Sequence, residues 1–273
     1  MASQNDLFGG FSALVDWKDD SLLAVSDNGR RMVFAKPDRS DEPPWLGVFP
    51  ETGRFDKRDR DYEALTWNPE TGEVWVAAER SNSIWRFATP LAFLGKRSPP
   101  QMAEWKANTG AESLVRLANG SFVAISEGRE GDRLHPAVLF DRDPSQDGPA
   151  ESFYLEGREG YRPSDATLLP DGRLLIVLRK VEYSWPPKFR VMLVTADPAL
   201  IKPGKKLVTK VLGSIEPPLP SENYEGVTAT VEADGRTVIW LISDDNFTRY
   251  QRTILLKFVV DGPLDRERQK ARE

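Results

Sequence analysis

Residues 222–247, ENYEGVTATVEADGRTVIWLISDDNF, carry the pattern from which the architecture of the whole chain can be read. One acid, Glu225, stands just before an extended apolar run, and a tight turn follows at Asp234-Gly235. A second extended run then ends in two acids, of which the first is Asp244. Asp-Gly between apolar runs is a strong hairpin signal, because both residues tolerate positive φ. The stretch therefore predicts two antiparallel strands.

Four similar stretches precede this one. They read GGFSALVDWKDDSLLAVSDNG, DYEALTWNPETGEVWVAAERSN, GAESLVRLANGSFVAISEG and RPSDATLLPDGRLLIVLRK. The residues taken as equivalent at the start of each repeat are Ser12, Glu63, Glu112, Asp165 and Glu225. Their separation of about 50 to 60 residues is close to the period of a four-stranded propeller blade. We therefore predict an all-β chain, a β-propeller of four-stranded blades, with five blades counted and six possible. A two-sheet sandwich is the alternative.

Each repeat continues with a third apolar run, and four of the five add a fourth. The fourth runs are WLGVFP, MAEWKA, SFYLEG and KLVTKVLGSI. The last repeat has none, and residues 261–273 form a polar tail of what we expect to be a single domain over residues 1–273. In a closed propeller an N-terminal strand often completes the last blade. Residues 2–8 are the only candidate for that strand in this sequence.

Composition narrows the possible functions. The 273 residues include no cysteine and one histidine, His135, which excludes disulfides, thiol catalysis and a two-histidine metal site within one chain. A metal would be held by oxygen atoms, which favours Ca²⁺ or Mg²⁺. The net charge of −5 argues against a nucleic-acid partner. No apolar run approaches the roughly 20 residues of a membrane span, and residues 1–10 show no signal-peptide pattern.

The acids of the repeats should meet at one rim of the propeller. The start of a first strand and the end of the antiparallel second strand lie on the same edge of a sheet, and the first strands line the central channel. We expect the metal ligands to be Glu63, Glu112, Asp165 and Glu225. Ca²⁺ is the expected ion, ahead of Mg²⁺ or Mn²⁺. In the alternative interpretation, these acids bond backbone N–H groups of neighbouring blades and hold the ring together.

Further candidates lie at the ends of the second strands. Glu79 or Asp244 could serve as a general base. The residues predicted to orient a small anionic substrate are Arg80, Arg179, Lys180 and Arg249. His135 could reach the same face, although a lone histidine before proline is more often a surface residue.

Several of these motifs resemble those of the bacterial phytase-like family, whose members are often described as having an esterase-like phytase domain. The similar segments are FGGFSAL, AVSDNG, DYEALTW, AAERSN, PSDATLLPDGRLL, NYEGVTA and WLISDDNF. The resemblance covers about residues 7–260. It implies a β-propeller, export to the periplasm or the cell exterior, and hydrolysis of ester or phosphoester bonds.

Two functions from different classes follow as hypotheses. The first is an exported, metal-dependent hydrolase of a phosphoester or related ester, with the cation at the mouth of the channel. The alternative is a non-catalytic propeller that binds a ligand or a protein partner, in which the acids are structural or hold a structural Ca²⁺. A lactonase is a weaker third possibility, because such an enzyme needs a neutral apolar pocket and this rim is basic.

Overall fold

The computed structural model of the chain describes residues 1, 3, 5–49, 61–89, 92–131, 133–185 and 187–260. Within these residues the secondary structure is almost entirely β, with short 3₁₀ turns at Pro100–Met102 and Pro198–Leu200. The strands form five sheets that follow one another along the chain. The predicted five-bladed β-propeller is thereby confirmed. No helix in the described part of the chain has the length and apolar character needed to cross a bilayer.

The blades are built from strands in chain order. Blade 1 comprises β1 (Phe11–Asp16), β2 (Ser21–Ser26), β3 (Arg30–Ala35) and β4 (Trp45–Val48). Blade 2 comprises β5 (Tyr62–Trp67), β6 (Val74–Ala78), β7 (Ser83–Ala88) and β8 (Ala92–Arg97). Blade 3 comprises β9 (Ala111–Arg116), β10 (Phe122–Ser126), β11 (Leu134–Phe140) and β12 (Ala150–Glu156). Blade 4 comprises β13 (Arg162–Leu168), β14 (Leu174–Glu182), β15 (Lys188–Ala196) and β17 (Lys210–Ile215), with β16 (Lys206–Leu207) joined to blade 3. Blade 5 comprises β18 (Asn223–Val231), β19 (Thr237–Asp244) and β20 (Leu255–Val259).

The outer strands differ from the predicted runs in two blades. The fourth strand of blade 2 is β8, not the run MAEWKA at 102–107, because the prolines before that run start a 3₁₀ turn that packs Met102 and Trp105 into the core. The run KLVTKVLGSI divides: β16 pairs in parallel with β12 of blade 3, and β17 completes blade 4.

Blade 5 has three strands among the described residues, as its missing fourth run predicts. In the described part of the candidate closing segment, residues 5–8 form a turn and no strand. The polar tail at 261–273 lies outside the described residues. The ring is nevertheless closed, because β1 packs against β18 as well as against β5, while β9 and β13 complete the circle of innermost strands.

The hydrophobic core lies between neighbouring blades, which explains why the second strands are apolar on both faces. Along β14, Ile176 and Leu178 pack in a cluster with residues of blade 3. The intervening Leu175 and Val177 pack with residues of blade 5. Since successive side chains of a strand point to opposite faces, a strand between two neighbours must be apolar throughout. The same arrangement directs polar residues to the strand ends, at the mouth of the channel.

Candidate functional site

A β-bulge near the start of every innermost strand builds the first layer of the site. In each blade one residue is skipped in the pairing with the second strand. The skipped residues are Ser12, Glu63, Glu112, Ser164 and Glu225. A bulged residue has no partner in the ladder, so its side chain is re-aimed relative to the strand. We call these five bulged residues the inner ring. Three of them, Glu63, Glu112 and Glu225, carry carboxylates.

The predicted equivalence of Asp165 with the three glutamates is wrong by one residue, because the bulge of blade 4 falls at Ser164. A one-residue slip turns a side chain to the other face of a strand. The carboxylate of Asp165 accepts hydrogen bonds from the backbone N–H of Ala166 at 2.8 Å and of Val227, in blade 5, at 2.7 Å. Asp165 thus takes the blade-joining role that the alternative interpretation described.

The ends of the second strands supply an outer ring. Its members are Asp27, Glu79, Glu127, Arg179 and Asp244, four acids and one base. The backbone N–H of Glu79 donates to the carbonyl of Asp61, and that of Glu127 donates to Gly110, so each outer residue stands beside the start of its own innermost strand. The tertiary structure therefore brings the predicted Glu63, Glu112 and Glu225 to the same rim as Glu79 and Asp244.

In each of two groups of carboxylates, the ligand oxygens are close enough to bind one ion together. Asp61, Glu63 and Glu79 have ligand oxygens within 4.8 Å of one another, and so do Glu79, Glu112 and Glu127. Glu79 belongs to both groups, and its carboxyl is hydrogen-bonded to that of Glu112. The described residues thus hold a cluster of acids that carries more negative charge than burial tolerates without protons or a cation.

The pKa values of these acids are raised, as expected for an excess of buried negative charge. Burial, with the charge of Asp61 second, raises the pKa of Glu79 to about 7. Burial, with the charge of Glu225 second, raises the pKa of Asp244 to about 9. The pKa values of Glu63 and Glu112 are also raised well above their usual range by burial and neighbouring carboxylates. At neutral pH the cluster therefore retains protons that a cation would displace.

Asn82, which the sequence analysis missed, adds a neutral oxygen to this cluster. Its Nδ2 donates to the carbonyl of Trp105 at 2.7 Å, which fixes the orientation of the amide. Its Oδ1 is buried and meets no hydrogen-bond donor among the described residues. A Cβ on Gly110 would lie 2.8 Å from this oxygen and 2.9 Å from Cγ of Glu79. An unpartnered oxygen beside oxygen-only ligands suits Ca²⁺, which takes 6–8 such donors. The only signal in the sequence was an asparagine in the turn after Glu79.

Arg179 occupies the place of blade 4 in the outer ring and serves as a built-in counter-ion. Its guanidinium donates to Glu225 at 2.5 Å, to Glu127 at 3.3 Å and to the side-chain oxygen of Asn223. Arg162 donates to the other oxygen of Glu127 at 2.9 Å. Burial acts to lower the pKa of Arg179, but the charges of Glu225 and Glu127 outweigh it and raise the pKa. The blade 4 side of the mouth is therefore basic.

The remaining predicted cations lie at different distances from this centre. Lys180 lines a cleft of about 410 Å³ together with Arg162 and Arg179. Arg80 pairs with Asp61 at 2.6 Å, so it serves the acidic side of the mouth. Arg249 is exposed in the loop after β19 and does not line the cleft.

His135 is not the surface residue that its place before proline suggested. It is fully buried in β11, and its Nδ1 donates to the carbonyl of Gly128 at 2.8 Å. Burial lowers the pKa of His135 to about 4, so the ring is neutral at physiological pH. A neutral buried ring held by the backbone acts in packing.

The fold and the site together define a class: a five-bladed β-propeller with a carboxylate-rich channel mouth beside a basic cleft. The chain belongs to the phytase-like family, whose description is "Esterase-like activity of phytase", with residues 6–247 matching. This confirms the resemblance seen in the motifs. No curated protein matches the chain at the level of sequence.

Solved structures of similar shape are distant in sequence. The glutaminyl cyclase of Myxococcus xanthus is 13% identical, with 93% of this chain and 92% of that chain covered and a TM-score of 0.51. A putative oxidoreductase of Thermus thermophilus, described as a glucose dehydrogenase, is 11% identical, with 93% and 99% covered and a TM-score of 0.49. At this identity, the first of these likenesses shows the fold alone.

Proposed function

We propose that this protein is a cation-dependent hydrolase of anionic esters, phosphoesters foremost. One observation carries the proposal: buried carboxylates in need of positive charge stand at the channel mouth next to a cleft lined by Arg162, Arg179 and Lys180. A cation and an anionic ester would each find their partners there. The esterase-like description of the family agrees with this reaction class.

The residues that would hold the cation are Glu79, which belongs to both acid groups, Glu63 from the first group, Glu112 from the second and Oδ1 of Asn82, and Ca²⁺ fits their donors best. When bound, it would polarise an ester oxygen and lower the pKa of a bound water. This assignment revises the expected ligand set. Asp165 bonds the backbone, and Glu225 is engaged by Arg179.

The residues on the other side of the mouth would act on the substrate. Arg162 and Lys180 would bind the anionic group, while the ion pairs of Arg179 hold Glu225 and Glu127 in place. Asp244 is hydrogen-bonded to Glu225 and carries a proton at neutral pH because burial raises its pKa to about 9. Asp244 is thus suited to donate a proton to the leaving oxygen as a general acid, and not to act as the general base of the sequence-based hypothesis.

A location in the periplasm or outside the cell is part of the proposal. Extracellular Ca²⁺ sites have dissociation constants of about 10⁻⁴–10⁻³ M. Such weak binding suits the channel mouth of this protein, because Ca²⁺ must displace protons from the buried carboxylates there.

Glu112→Gln is the first variant to test. Titration calorimetry of chelator-treated protein with Ca²⁺ should show binding that raises the melting temperature of the parent protein. The variant should lose that binding and at least about 100-fold in ester hydrolysis, while its circular dichroism stays unchanged. Glu151→Gln, on the exposed outer strand β12, is the matched control and should behave as the parent. Retained hydrolysis in Glu112→Gln would overturn the proposal.

A second candidate is a non-catalytic propeller that binds an anionic ligand in the cleft. The observation in its favour is that the acids partner one another, as Glu79 does with Glu112 and Glu225 with Asp244. Absence of binding to Ca²⁺, Mg²⁺ and Mn²⁺, together with anion binding that Arg162→Ala removes, would select this candidate.

A further inference from the structure

Three exposed aromatic side chains stand together where blades 4 and 5 meet the rim. Tyr183 is 100% exposed, Trp185 79% and Tyr250 60%. The rings of Trp185 and Tyr250 are in edge contact, with centroids 4.9 Å apart. None of the three belongs to a core cluster. Isolated exposed apolar residues are ordinary, whereas a group of them beside a polar cleft marks a binding surface.

The topology places this group above the candidate site. Strand β14 does not end at Arg179 but continues to Glu182, which carries the β14–β15 loop about 10 Å beyond the rim. Tyr183 and Trp185 lie in that loop. Tyr250 lies in the loop that follows Asp244 at the end of β19. Both loops thus extend from strand ends whose side chains are part of the outer ring.

The cleft of about 410 Å³ brings Tyr183, one member of the aromatic group, together with the charged residues. Its lining combines Tyr183 and Val181 with the basic residues Arg129, Arg162 and Lys180, and it reaches Glu127 and Arg179. A cleft of this size accepts a small organic molecule. A ligand that fills it would place one end against guanidinium and ammonium groups and the other against an exposed phenol ring.

We propose that Tyr183, Trp185 and Tyr250 form an aromatic subsite, and that the substrate is a phosphoester whose organic part is an aromatic ring. This inference rests on the proposed function and specifies its substrate class. Aromatic faces attract flat rings by offset stacking and edge contact, while Arg162 and Lys180 attract the phosphoryl oxygens. A cyclitol or sugar phosphate, which is polar on every side, would leave Tyr183 and Trp185 unused.

The test uses benzylphosphonate and ethylphosphonate as stable probes, so that leaving-group reactivity does not enter the comparison. Calorimetry with the full chain in the presence of Ca²⁺ should show benzylphosphonate binding about tenfold tighter than ethylphosphonate. Tyr183→Ala and Trp185→Ala should each reduce that preference at least about threefold, because each weakens benzylphosphonate binding more than ethylphosphonate binding. Trp45→Ala, an exposed tryptophan on the outer strand of blade 1, is the control and should have no effect.

The outcomes separate the subsite from the function. If both phosphonates bind equally, or if Tyr183→Ala and Trp185→Ala change nothing, the aromatic subsite is overturned and the hydrolase proposal stands. If neither phosphonate binds, while Ca²⁺ binding is intact, the anion cleft itself is refuted and the subsite with it. If the preference is present but Arg162→Ala leaves both affinities unchanged, the aromatic site is unconnected to the cleft, which also contradicts the inference.

Discussion

At the scale of single residues, the electrostatics of the mouth depends on Arg179. Arg179 is the basic member of the outer ring, whose other four members are acids. Only 15% of its side chain is exposed. Its ion pair with Glu225 stabilises the ionised form of a carboxylate whose pKa burial raises, and a second ion pair joins it to Glu127. Within the part of the chain that the structure describes, Glu63, Glu79 and Glu112 form no ion pair with a base, which is why the cation is assigned to that side.

Replacing Arg179 with methionine should destabilise the protein in a pH-dependent way. Loss of one partner from a buried ion pair costs about 3 kcal/mol, because the other charge is left uncompensated. At pH 8 the full loss is expected. At pH 5 it should be smaller, since Glu225, whose pKa is raised mainly by burial, can take up a proton and lose its charge. Urea unfolding at both pH values measures the difference, with the exposed Arg249→Met as control. Equal losses at both pH values would point to lost packing instead.

At the scale of the strand, the bulge decides which residue enters the site. The segments FSAL, YEAL, AESL, PSDA and YEGV align when the bulged residue is the second of each. In this register blade 4 contributes Ser164, whose hydroxyl donates to the carbonyl of Tyr224 at 3.0 Å. Asp165 moves to the following position, which in the other blades is Ala13, Ala64, Ser113 and Gly226. The small residues there leave room for a neighbouring blade, and Asp165 fills that room with hydrogen bonds.

Asp165→Asn should therefore affect stability and not cation binding. The amide retains one acceptor but presents an NH₂ group to a backbone N–H, so a loss of about 2 kcal/mol in unfolding free energy is expected. The Ca²⁺ affinity measured by calorimetry should stay within about twofold of the parent. Asp147→Asn, at a largely exposed aspartate, serves as the control. A large fall in Ca²⁺ affinity with unchanged stability would return Asp165 to the ligand set.

At the scale of the whole molecule, four of the five blades bring acids to one mouth, and their summed titration governs how stability varies with pH. The pKa of Asp27 is raised to about 6, that of Glu79 to about 7 and that of Asp244 to about 9, each mainly by burial. A raised pKa means that the folded state binds more protons than the unfolded state between the two pKa values. His135 acts in the opposite sense below about pH 6.5, because its pKa is lowered to about 4.

The metal-free protein should accordingly lose stability as the pH rises from about 6.5 to 9. His135 is already neutral in the folded state, and its opposing contribution fades as the pH rises above its unfolded pKa of 6.5, while Glu79 and Asp244 must give up protons only in the folded protein. Urea midpoints measured across this range in chelator should fall, and millimolar Ca²⁺ should flatten the curve because the ion takes the place of the protons. A midpoint that rises from pH 6.5 to 9 in chelator would contradict this account of the mouth.

The sequence by itself determined the propeller, the number of blades and the rim at which the acids gather. Hairpin turns such as Asp234-Gly235 and apolar second strands are local features, and strand antiparallelism alone brings Glu225 and Asp244 to one edge. Its repeat pattern also showed no fourth run in the last repeat, and blade 5 has three strands among the described residues.

The tertiary structure decided which side chains face the channel, since a bulge shifts register by one residue without changing the hydrophobic pattern that flanks it. That is why Ser164 and not Asp165 belongs to the inner ring. Burial, too, is decided only by packing. His135 lies inside the protein, and Oδ1 of Asn82 is buried without a hydrogen-bond donor among the described residues. Arg179 pairs with acids from two other blades. Those contacts join residues far apart in the chain, and no local pattern encodes them.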